Sequence, residues 1–309
     1  LLRPHHWVKN LLVLAPPFLG GVLFTGWGMA FIMFFAFLAF SLASSAGYII
    51  NDIVDLETDR LHPKKKLRPI ASGKVGVPGA VIVALTAFVG AAVISYSLDT
   101  GFLVIVIAYM ALSVLYSLFL QRFALIDSFV IAIGFVLRIE AGGLASGTVV
   151  SNWLLLTTFV LSLLLALGKR RYELAAATAD PAAHRESLSG YSLNFLDQAI
   201  TIFATTAIVT YAIYAIEADS RTFLITVVFA CYGVLRYMHL VQSSISGDPT
   251  ESLLRDQPLL LCVLLWLAVT ALIIYHDISS ASFSSAGGRP LLIAVFASPT
   301  AFSRSPILM

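Results

Sequence analysis

The chain has 309 residues, of which 59% are apolar and only 12% are charged, and its formal net charge at pH 7 is +2. A soluble domain usually carries about 25% charged residues, so this composition excludes an ordinary soluble enzyme and indicates a protein surrounded by lipid. Cys231 and Cys262 lie within long apolar runs, which favours packing residues over a disulfide or a metal site.

Nine apolar segments are separated by turn residues and charges, and crossing a bilayer takes roughly 20 mostly apolar residues. We place the spans at residues 10–25, 28–50, 77–97, 101–120, 124–145, 151–168, 194–216, 221–244 and 257–276. Pro16 and Pro17 interrupt the first span and should kink it. Gly142, Gly143 and Gly147 predict close helix packing or a bend near the end of the fifth span. The predicted fold class is all-α, a polytopic membrane protein with nine transmembrane helices.

Most of the 19 lysines and arginines lie on one side of this arrangement. The N-terminus and the loops after spans two, four, six and eight contain Arg3, Lys9, Arg60, Lys64, Lys65, Lys66, Arg68, Lys74, Arg122, Lys169, Arg170, Arg171, Arg185 and Arg255. The short opposite loops contain only Arg221. The positive-inside rule therefore places the N-terminus in the cytoplasm and the C-terminus outside. Because these basic residues lie in short membrane loops, no nucleic-acid partner is expected.

The end of the sequence differs in composition from the rest. Residues 278–309 are rich in Ser, Ala, Gly and Pro, and their apolar stretch at 291–296 is too short to span a bilayer. We therefore predict a membrane domain at residues 1–277 and a poorly ordered tail at residues 278–309.

An acidic stretch follows the second span directly. At about 100° per residue, four of its polar residues share one face of a helix, namely Asn51, Asp52, Asp55 and Asp59. Glu57 points away from that face. Three carboxylates on one stripe repel each other near hydrocarbon. Mg²⁺ removes that cost, because it binds one or two carboxylates together with substrate phosphate oxygens. The alternative is a solvated helix end whose charges face water.

A basic run at residues 60–73 comes next and includes Arg60, Lys65 and Arg68. The acidic and basic stretches together indicate a site for Mg²⁺ and a diphosphate, in which the cations bind phosphoryl oxygens and stabilise a leaving group. The alternative for the lysines alone is the positive-inside signal, or binding to anionic lipid head groups.

The pattern NDxxDxxxDRxHPxKxxRPIASG at residues 51–73 resembles the first Asp-rich motif of the UbiA prenyltransferase superfamily. The resemblance implies a bundle of nine membrane helices around a central cavity. It also implies that a Mg²⁺–diphosphate substrate binds at the cytoplasmic face, and, for this chain, location in the bacterial inner membrane.

The loop after the sixth span lacks the second Asp-rich motif that the aromatic prenyltransferases of this superfamily carry there, and it is net cationic. The sequence is instead similar to the polyprenyl-phosphate phosphoribosyltransferase branch, which is also called the decaprenyl-phosphate phosphoribosyltransferases. That branch shares the motifs RPxxWVKN, GKRxxEL…AAHRxSLxxYS and GDPxExLLxDxPL. They stand here at residues 3–10, 168–192 and 247–259.

This resemblance implies a pentosyltransferase that moves 5-phosphoribosyl from 5-phosphoribosyl 1-diphosphate (PRPP) to a polyprenyl phosphate, with inversion at C1. It implies Mg²⁺ on Asp52, Asp55 and Asp59, and catalytic roles for Asp55, Lys65 and Arg68. The substrate-binding residues would be Lys9, Asn51, Arg60, Lys65, Arg68, Tyr116, Arg122, Asp127, Arg138, Lys169, Arg170, Glu173, His184, Arg185 and Tyr191. The expected partners are PRPP, the polyprenyl phosphate lipid, membrane lipids and, as an option, further copies of the chain in a homo-oligomer.

Two of these assignments have alternatives. Arg138 lies inside the fifth span, where it either lines the central cavity and reaches phosphate or forms a buried pair with a carboxylate of another span. Gln121 and Arg122 stand where the family has a lysine, which puts that lysine's role in doubt and makes Arg122 its candidate substitute.

Two other functions fit parts of the pattern. One is a prenyltransferase that moves a polyprenyl group from its diphosphate to an aromatic or other acceptor, and the missing second Asp-rich motif argues against it. The other is a transporter or channel, which would place charged residues near the membrane midplane and show internal repeats. Here the polar residues cluster at one face and no clear repeat is visible.

Overall fold

The computed structural model describes residues 1–61, 65–176, 186–218, 221–243 and 249–284, and within these ranges the chain is helical and contains no strand. Its α-helices are α1 (Ala15–Leu19), α2 (Trp27–Val54), α3 (Leu56–Leu61), α4 (Val77–Leu98), α5 (Thr100–Leu118), α6 (Ile126–Ser146), α7 (Asn152–Ala176), α8 (Leu193–Glu217), α9 (Ile225–Gln242), α10 (Pro249–Arg255) and α11 (Gln257–Ser284). Short 3₁₀ helices lie at Pro4–Leu14, Lys65–Leu67, Leu120–Arg122, Glu186–Gly190 and Arg221–Leu224.

Eight helices of the described chain are long and apolar enough to cross a membrane: α2, α4, α5, α6, α7, α8, α9 with the turn before it, and α11. They correspond to the second to ninth predicted spans. Many of their large apolar side chains point outward, such as Val81, Ile202 and Leu272. An outer surface of this kind suits contact with lipid chains, and the chain is an integral membrane protein.

The first predicted span has a different form. Residues Pro4–Leu14 form a 3₁₀ helix and Ala15–Leu19 form a single α-helical turn. The rises of the two helix types give this segment a length of roughly 30 Å, which is about the thickness of the hydrocarbon layer. Pro16 and Pro17 lie in the first turn of α1, where a missing N–H costs little. The helical segment therefore covers residues 4–19, where a span was predicted at residues 10–25. It is not among the eight helices of the described chain that are long and apolar enough to cross a membrane.

Two buried clusters divide the bundle. One joins α2, α5 and the N-terminal segment around Phe40, Phe102 and Val13. The other joins α7, α8 and α9 around Leu167, Ile200 and neighbouring residues. Helices α2 and α4 pack most extensively in the first half, and α7 and α8 in the second, while α6 contacts both α5 and α7. The space between the two halves becomes the central cavity.

Close packing of the N-terminal segment against α6 depends on Gly142. A Cβ at this position would lie 2.0 Å from the Val13 carbonyl oxygen, so only glycine lets the two backbones approach this closely. Gly147 ends α6 with a φ of 69°, the left-handed conformation that glycine adopts readily. Close packing or a bend was predicted for this stretch. Close packing occurs at Gly142 and Gly143, and Gly147 lies at the end of the helix.

The last helix extends further than predicted. Helix α11 runs to Ser284, past the predicted domain boundary at residue 277. Residues 285–309 lie outside the described part of the chain, so the expected poorly ordered tail stays a prediction there.

Candidate active site

The acidic stretch lies where α2 ends. Helix α2 stops at Val54, Asp55 forms the turn, and α3 begins at Leu56. Asp52 and Asp59 are almost fully buried, with exposed fractions of 3% and 1%. The Glu57 side chain is 83% exposed and pairs with Arg60 at the surface. The two carboxylates of Asp52 in α2 and Asp59 in α3 therefore point into the protein. Arg60, which we assigned to the substrate from the sequence, does not join them.

Three cations surround these two carboxylates. Arg68 Nη1 donates to Asp52 Oδ1 at 3.1 Å and also to Asp59 Oδ2. Lys65 Nζ lies 3.9 Å from Asp59 Oδ1, and Arg3 Nη2 donates to Asp52 Oδ1. Although it is buried, Asp59 Oδ1 accepts no hydrogen bond from the residues that the structure describes. We call Arg3, Asp52, Asp59, Lys65 and Arg68 the acidic cluster.

Asp55 is held separately from this cluster. Asn51 Nδ2 donates to Asp55 Oδ2 at 2.7 Å, and Gln121 Nε2 donates to Asp55 Oδ1 at 3.1 Å. The described residues contain no group of three His, Cys, Asp or Glu side chains that is already arranged around an ion. Two buried carboxylates share one cation, and one oxygen of Asp59 accepts no hydrogen bond from the described residues. Such a pair nevertheless suits Mg²⁺, which takes one or two carboxylates and completes its shell with phosphate and water.

A second polar cluster joins α6, α7 and the segment before α8. Arg170 Nε lies 2.9 Å from Asp127 Oδ2, and Arg170 Nη1 also bonds Glu173. Tyr191 OH donates to Asp127 Oδ1 at 3.0 Å, and Ser187 Oγ lies 3.3 Å from Asp127 Oδ2. Arg170 and Asp127 are 2% and 0% exposed. We call these five residues the Asp127 cluster.

Tyr191 also supports a strained turn. Leu125 has a φ of 66°, which is unusual for a branched residue, and its N–H donates to Tyr191 OH at 2.6 Å. Burial raises the pKa of the Tyr191 phenol, and the neighbouring Asp127 carboxylate raises it further. The phenol therefore stays protonated. It donates to Asp127 and accepts the Leu125 N–H just before α6 begins.

A cavity of about 630 Å³ lies between the two halves of the bundle. Polar side chains that reach its wall include Lys9, Tyr48, Tyr109, Tyr116, Arg138, Lys169 and Arg170. Helices α9 and α11 contribute mainly apolar side chains, among them Phe229, Val263 and Trp266. The cavity thus has a polar, cationic wall and an apolar wall, which suits a ligand that has both characters.

Arg138 lines the cavity and is 5% exposed. Its guanidinium donates to Asn10 Oδ1, the Gly134 carbonyl and Tyr109 OH, at distances of 2.9, 2.7 and 2.8 Å. None of these acceptors is a carboxylate. Of the two predicted arrangements, the structure shows the cavity-lining one and not a buried Arg–carboxylate pair among the described residues.

Several predicted site residues stand apart from these clusters. Arg122 is exposed in the short helix Leu120–Arg122, and its neighbour Gln121 contacts Asp55 instead. His184 and Arg185 lie outside the described residues. Sequence analysis did not assign Arg3, Gln121 or Asn10 to the site. Arg3 had a usable signal, because it stands in the same RPxxWVKN motif as Lys9.

Known proteins resemble this chain in sequence. The model of the UbiA prenyltransferase family matches residues 13–253. Decaprenyl-phosphate phosphoribosyltransferase of Mycobacterium tuberculosis is 35% identical over 277 residues, which cover 86% of this chain and 90% of that protein. The protein with the same name from Mycolicibacterium smegmatis is 34% identical over 291 residues, which cover 89% and 92%.

Known structures resemble it in fold. A solved structure of a UbiA homolog from Archaeoglobus fulgidus, bound to DMAPP and Mg²⁺, aligns with a TM-score of 0.70 and 16% sequence identity. The alignment covers 89% of this chain and 98% of that one. At this level of identity the similarity concerns the fold alone.

Proposed function

Because this chain belongs to the UbiA prenyltransferase family, we propose that it is a phosphoribosyltransferase that moves the 5-phosphoribosyl group of PRPP onto a polyprenyl phosphate. The observation that carries the proposal is the similarity, along most of both chains, to proteins named decaprenyl-phosphate phosphoribosyltransferase. The site supports it in two ways. The acidic cluster has carboxylates for a metal and cations for a diphosphate, and Arg3 of that cluster lies over Tyr48, which lines the cavity. The cavity itself is lined by the cations Lys9, Arg138 and Lys169 and by apolar side chains.

Asp52 and Asp59 are the residues that would hold Mg²⁺, with Asp55 joining them when its side chain turns from Asn51 and Gln121. The bound Mg²⁺ of the Archaeoglobus fulgidus homolog supports a divalent metal in this fold. When bound, the ion offsets negative charge on the diphosphate of PRPP. Arg68 and Lys65 already lie beside these carboxylates, so they are placed to bind diphosphate oxygens.

The chemistry then requires mainly positioning and charge. An oxygen of the lipid phosphate attacks C1 of the ribose, the bond from C1 to the diphosphate breaks, and the diphosphate leaves from the opposite face with inversion. Arg68, Lys65 and Arg3 stabilise the charge that builds on the leaving group. The acceptor is an anion at neutral pH, so no general base is needed.

The Asp127 cluster has a different role in this scheme. Arg170 is already paired with two carboxylates, Asp127 and Glu173. It therefore holds the side chains at the cavity wall in position more than it offers a positive charge to a substrate. Lys169 and Tyr116 line the same part of the cavity, and we assign them to the ribose 5-phosphate. The protein would work in the bacterial inner membrane, with this end of the bundle in the cytoplasm, where the basic loops lie.

Substrate choice tests the proposal directly. Purified protein in nanodiscs is given either labelled PRPP with farnesyl phosphate or labelled farnesyl diphosphate with 4-hydroxybenzoate as a common aromatic acceptor. We expect a labelled phosphoribosyl lipid and equimolar diphosphate only in the first reaction. EDTA should stop that reaction and excess Mg²⁺ should restore it. Product from the second reaction alone would replace this proposal with the prenyltransferase alternative.

A further inference from the structure

Arg138 is a positive charge inside the bundle whose contacts are all neutral. It bonds the Asn10 side chain, the Gly134 carbonyl and the Tyr109 hydroxyl. Its guanidinium also lies over aromatic rings, with centroids 4.6 Å away at Tyr109 and 5.3 Å away at Phe135. No carboxylate oxygen of the described chain lies within ion-pairing distance of it.

A buried cation without an opposite charge is costly in a membrane protein, and such residues usually face a functional cavity. Arg138 is 5% exposed and forms part of the cavity wall. A guanidinium has five N–H groups, and the three bonds above leave two of them for another partner. An anion in the cavity would supply both the opposite charge and the acceptors.

This position is separate from the acidic cluster. Arg138 lies about three helical turns beyond Asp127 along α6, which is roughly 16 Å deeper in the bundle. Its partner Asn10 also contacts Ser44 at 3.1 Å, and Ser44 lies about two turns, or roughly 12 Å, before Asp52 on α2. An anion at Arg138 therefore lies well below the carboxylates that would hold a metal.

The surrounding wall shows which kind of anion fits. Lys9, next to Asn10 in the chain, lines the same cavity. Phe229 of α9 and Val263 and Trp266 of α11 also line this cavity, and they suit a hydrocarbon chain. PRPP has no apolar part, so the apolar wall would gain nothing from it. A phosphate monoester on a long lipid matches both walls.

We propose that Arg138, together with Lys9, binds the phosphate of the lipid acceptor, while the lipid chain lies against the apolar wall. The inference rests on the proposed function and assigns one of its two substrates to a place. It also agrees with inversion at C1, since the acceptor must approach from the side of the sugar that faces away from the diphosphate. That side faces the interior of the bundle, where Arg138 lies.

Binding measurements distinguish the contribution of the lipid's phosphate from that of its hydrocarbon chain. Affinities for farnesyl phosphate and for farnesol are measured by calorimetry on the full-length protein in detergent, for wild type, Arg138→Gln and Arg138→Lys. We expect Arg138→Gln to weaken farnesyl phosphate binding at least tenfold and to leave farnesol binding within twofold. Arg138→Lys should keep most of the affinity. Binding of PRPP with Mn²⁺ should be the same in all three proteins.

Two results would overturn the inference. One is unchanged farnesyl phosphate binding in Arg138→Gln. The other is a selective loss of PRPP binding, which would assign the anion at Arg138 to the donor. If Arg138→Gln fails to fold, Lys9→Gln replaces it in the same measurement, with an expected loss of several-fold and the same reversal if no loss occurs. Failure of the proposed function is a distinct result: wild type would then bind farnesyl phosphate and form no product with PRPP.

Discussion

Single residues decide whether the acidic cluster can work as a metal site. Asp59 is the most informative of them, because it is buried, contacts Arg68 and Lys65, and has one oxygen that accepts no hydrogen bond within the described part of the chain. An oxygen in this state costs free energy unless a ligand completes it. Glu57, two residues earlier on α3, is exposed and provides a matched control for charge.

We expect Asp59→Asn to lower turnover about 100- to 1,000-fold, a loss typical of removing a group that stabilises charge in the transition state. Glu57→Gln should stay within about twofold, since surface ion pairs contribute little. Initial rates with PRPP and farnesyl phosphate, together with thermal melting of both variants, provide the measurement. Equal rates for Asp59→Asn and wild type would remove Asp59 from the site.

The charge of Arg3 can be tested in the same way. It donates to Asp52 and stacks on Tyr48, which lines the cavity, and its φ of 49° is a conformation that non-glycine residues adopt at some cost. If its charge assists the diphosphate, Arg3→Gln should raise the KM for PRPP about tenfold, the size of one charge-assisted hydrogen bond. The KM for the lipid should not change. A change in the lipid KM alone would contradict this role.

Contacts between helices and the segments that connect them stabilise the fold around the site. The Asp127 cluster links α6, α7 and the segment Glu186–Gly190, which precedes Tyr191. Asp127→Asn would leave Arg170 with one carboxylate in a buried place, and breaking such a pair costs about 3–5 kcal/mol. We expect a clearly lower melting temperature for Asp127→Asn and a loss of only about 1 kcal/mol for Tyr191→Phe. Equal melting of both variants would show that the ion pair does not stabilise this junction.

Gly142 tests the contact between the N-terminal segment and α6. Because a Cβ there would lie 2.0 Å from the Val13 carbonyl oxygen, Gly142→Ala should force the backbones apart at a cost of about 1–3 kcal/mol. The shift would also move Asn10 away from Arg138. Gly79→Ala, at a helical glycine whose Cβ would only touch Val75 at 3.9 Å, is the matched control and should melt like wild type.

Most of the membrane-spanning helices could be predicted from the sequence. Long apolar runs must be helical in lipid, because every backbone N–H and C=O needs an internal partner there, so α2, α4 to α9 and α11 were predictable. The 3₁₀ form of Pro4–Leu14 was not, since hydropathy carries no information about the pitch of a helix. The break at Asp55 was missed as well, because an unbroken helical period placed Asp55 with Asp52 and Asp59.

At the scale of the whole molecule, the site arises from contacts between segments far apart in sequence. The acidic stretch and its basic run were predictable because their residues are neighbours in the chain. The bonds from Asn10 and Tyr109 to Arg138, and from Gln121 to Asp55, join different helices. No local pattern predicts such pairs. Hydropathy likewise gives no sign of the cavity between the two halves.

The central claim is that Asp52 and Asp59 hold a metal ion together with the diphosphate of PRPP. Electron paramagnetic resonance of Mn²⁺ with the full-length protein, with and without PRPP, measures this binding without relying on turnover. We expect tight Mn²⁺ binding that needs PRPP and disappears in the double variant Asp52→Asn with Asp59→Asn, while Glu57→Gln behaves like wild type. Mn²⁺–PRPP binding that persists unchanged in the double variant would contradict it.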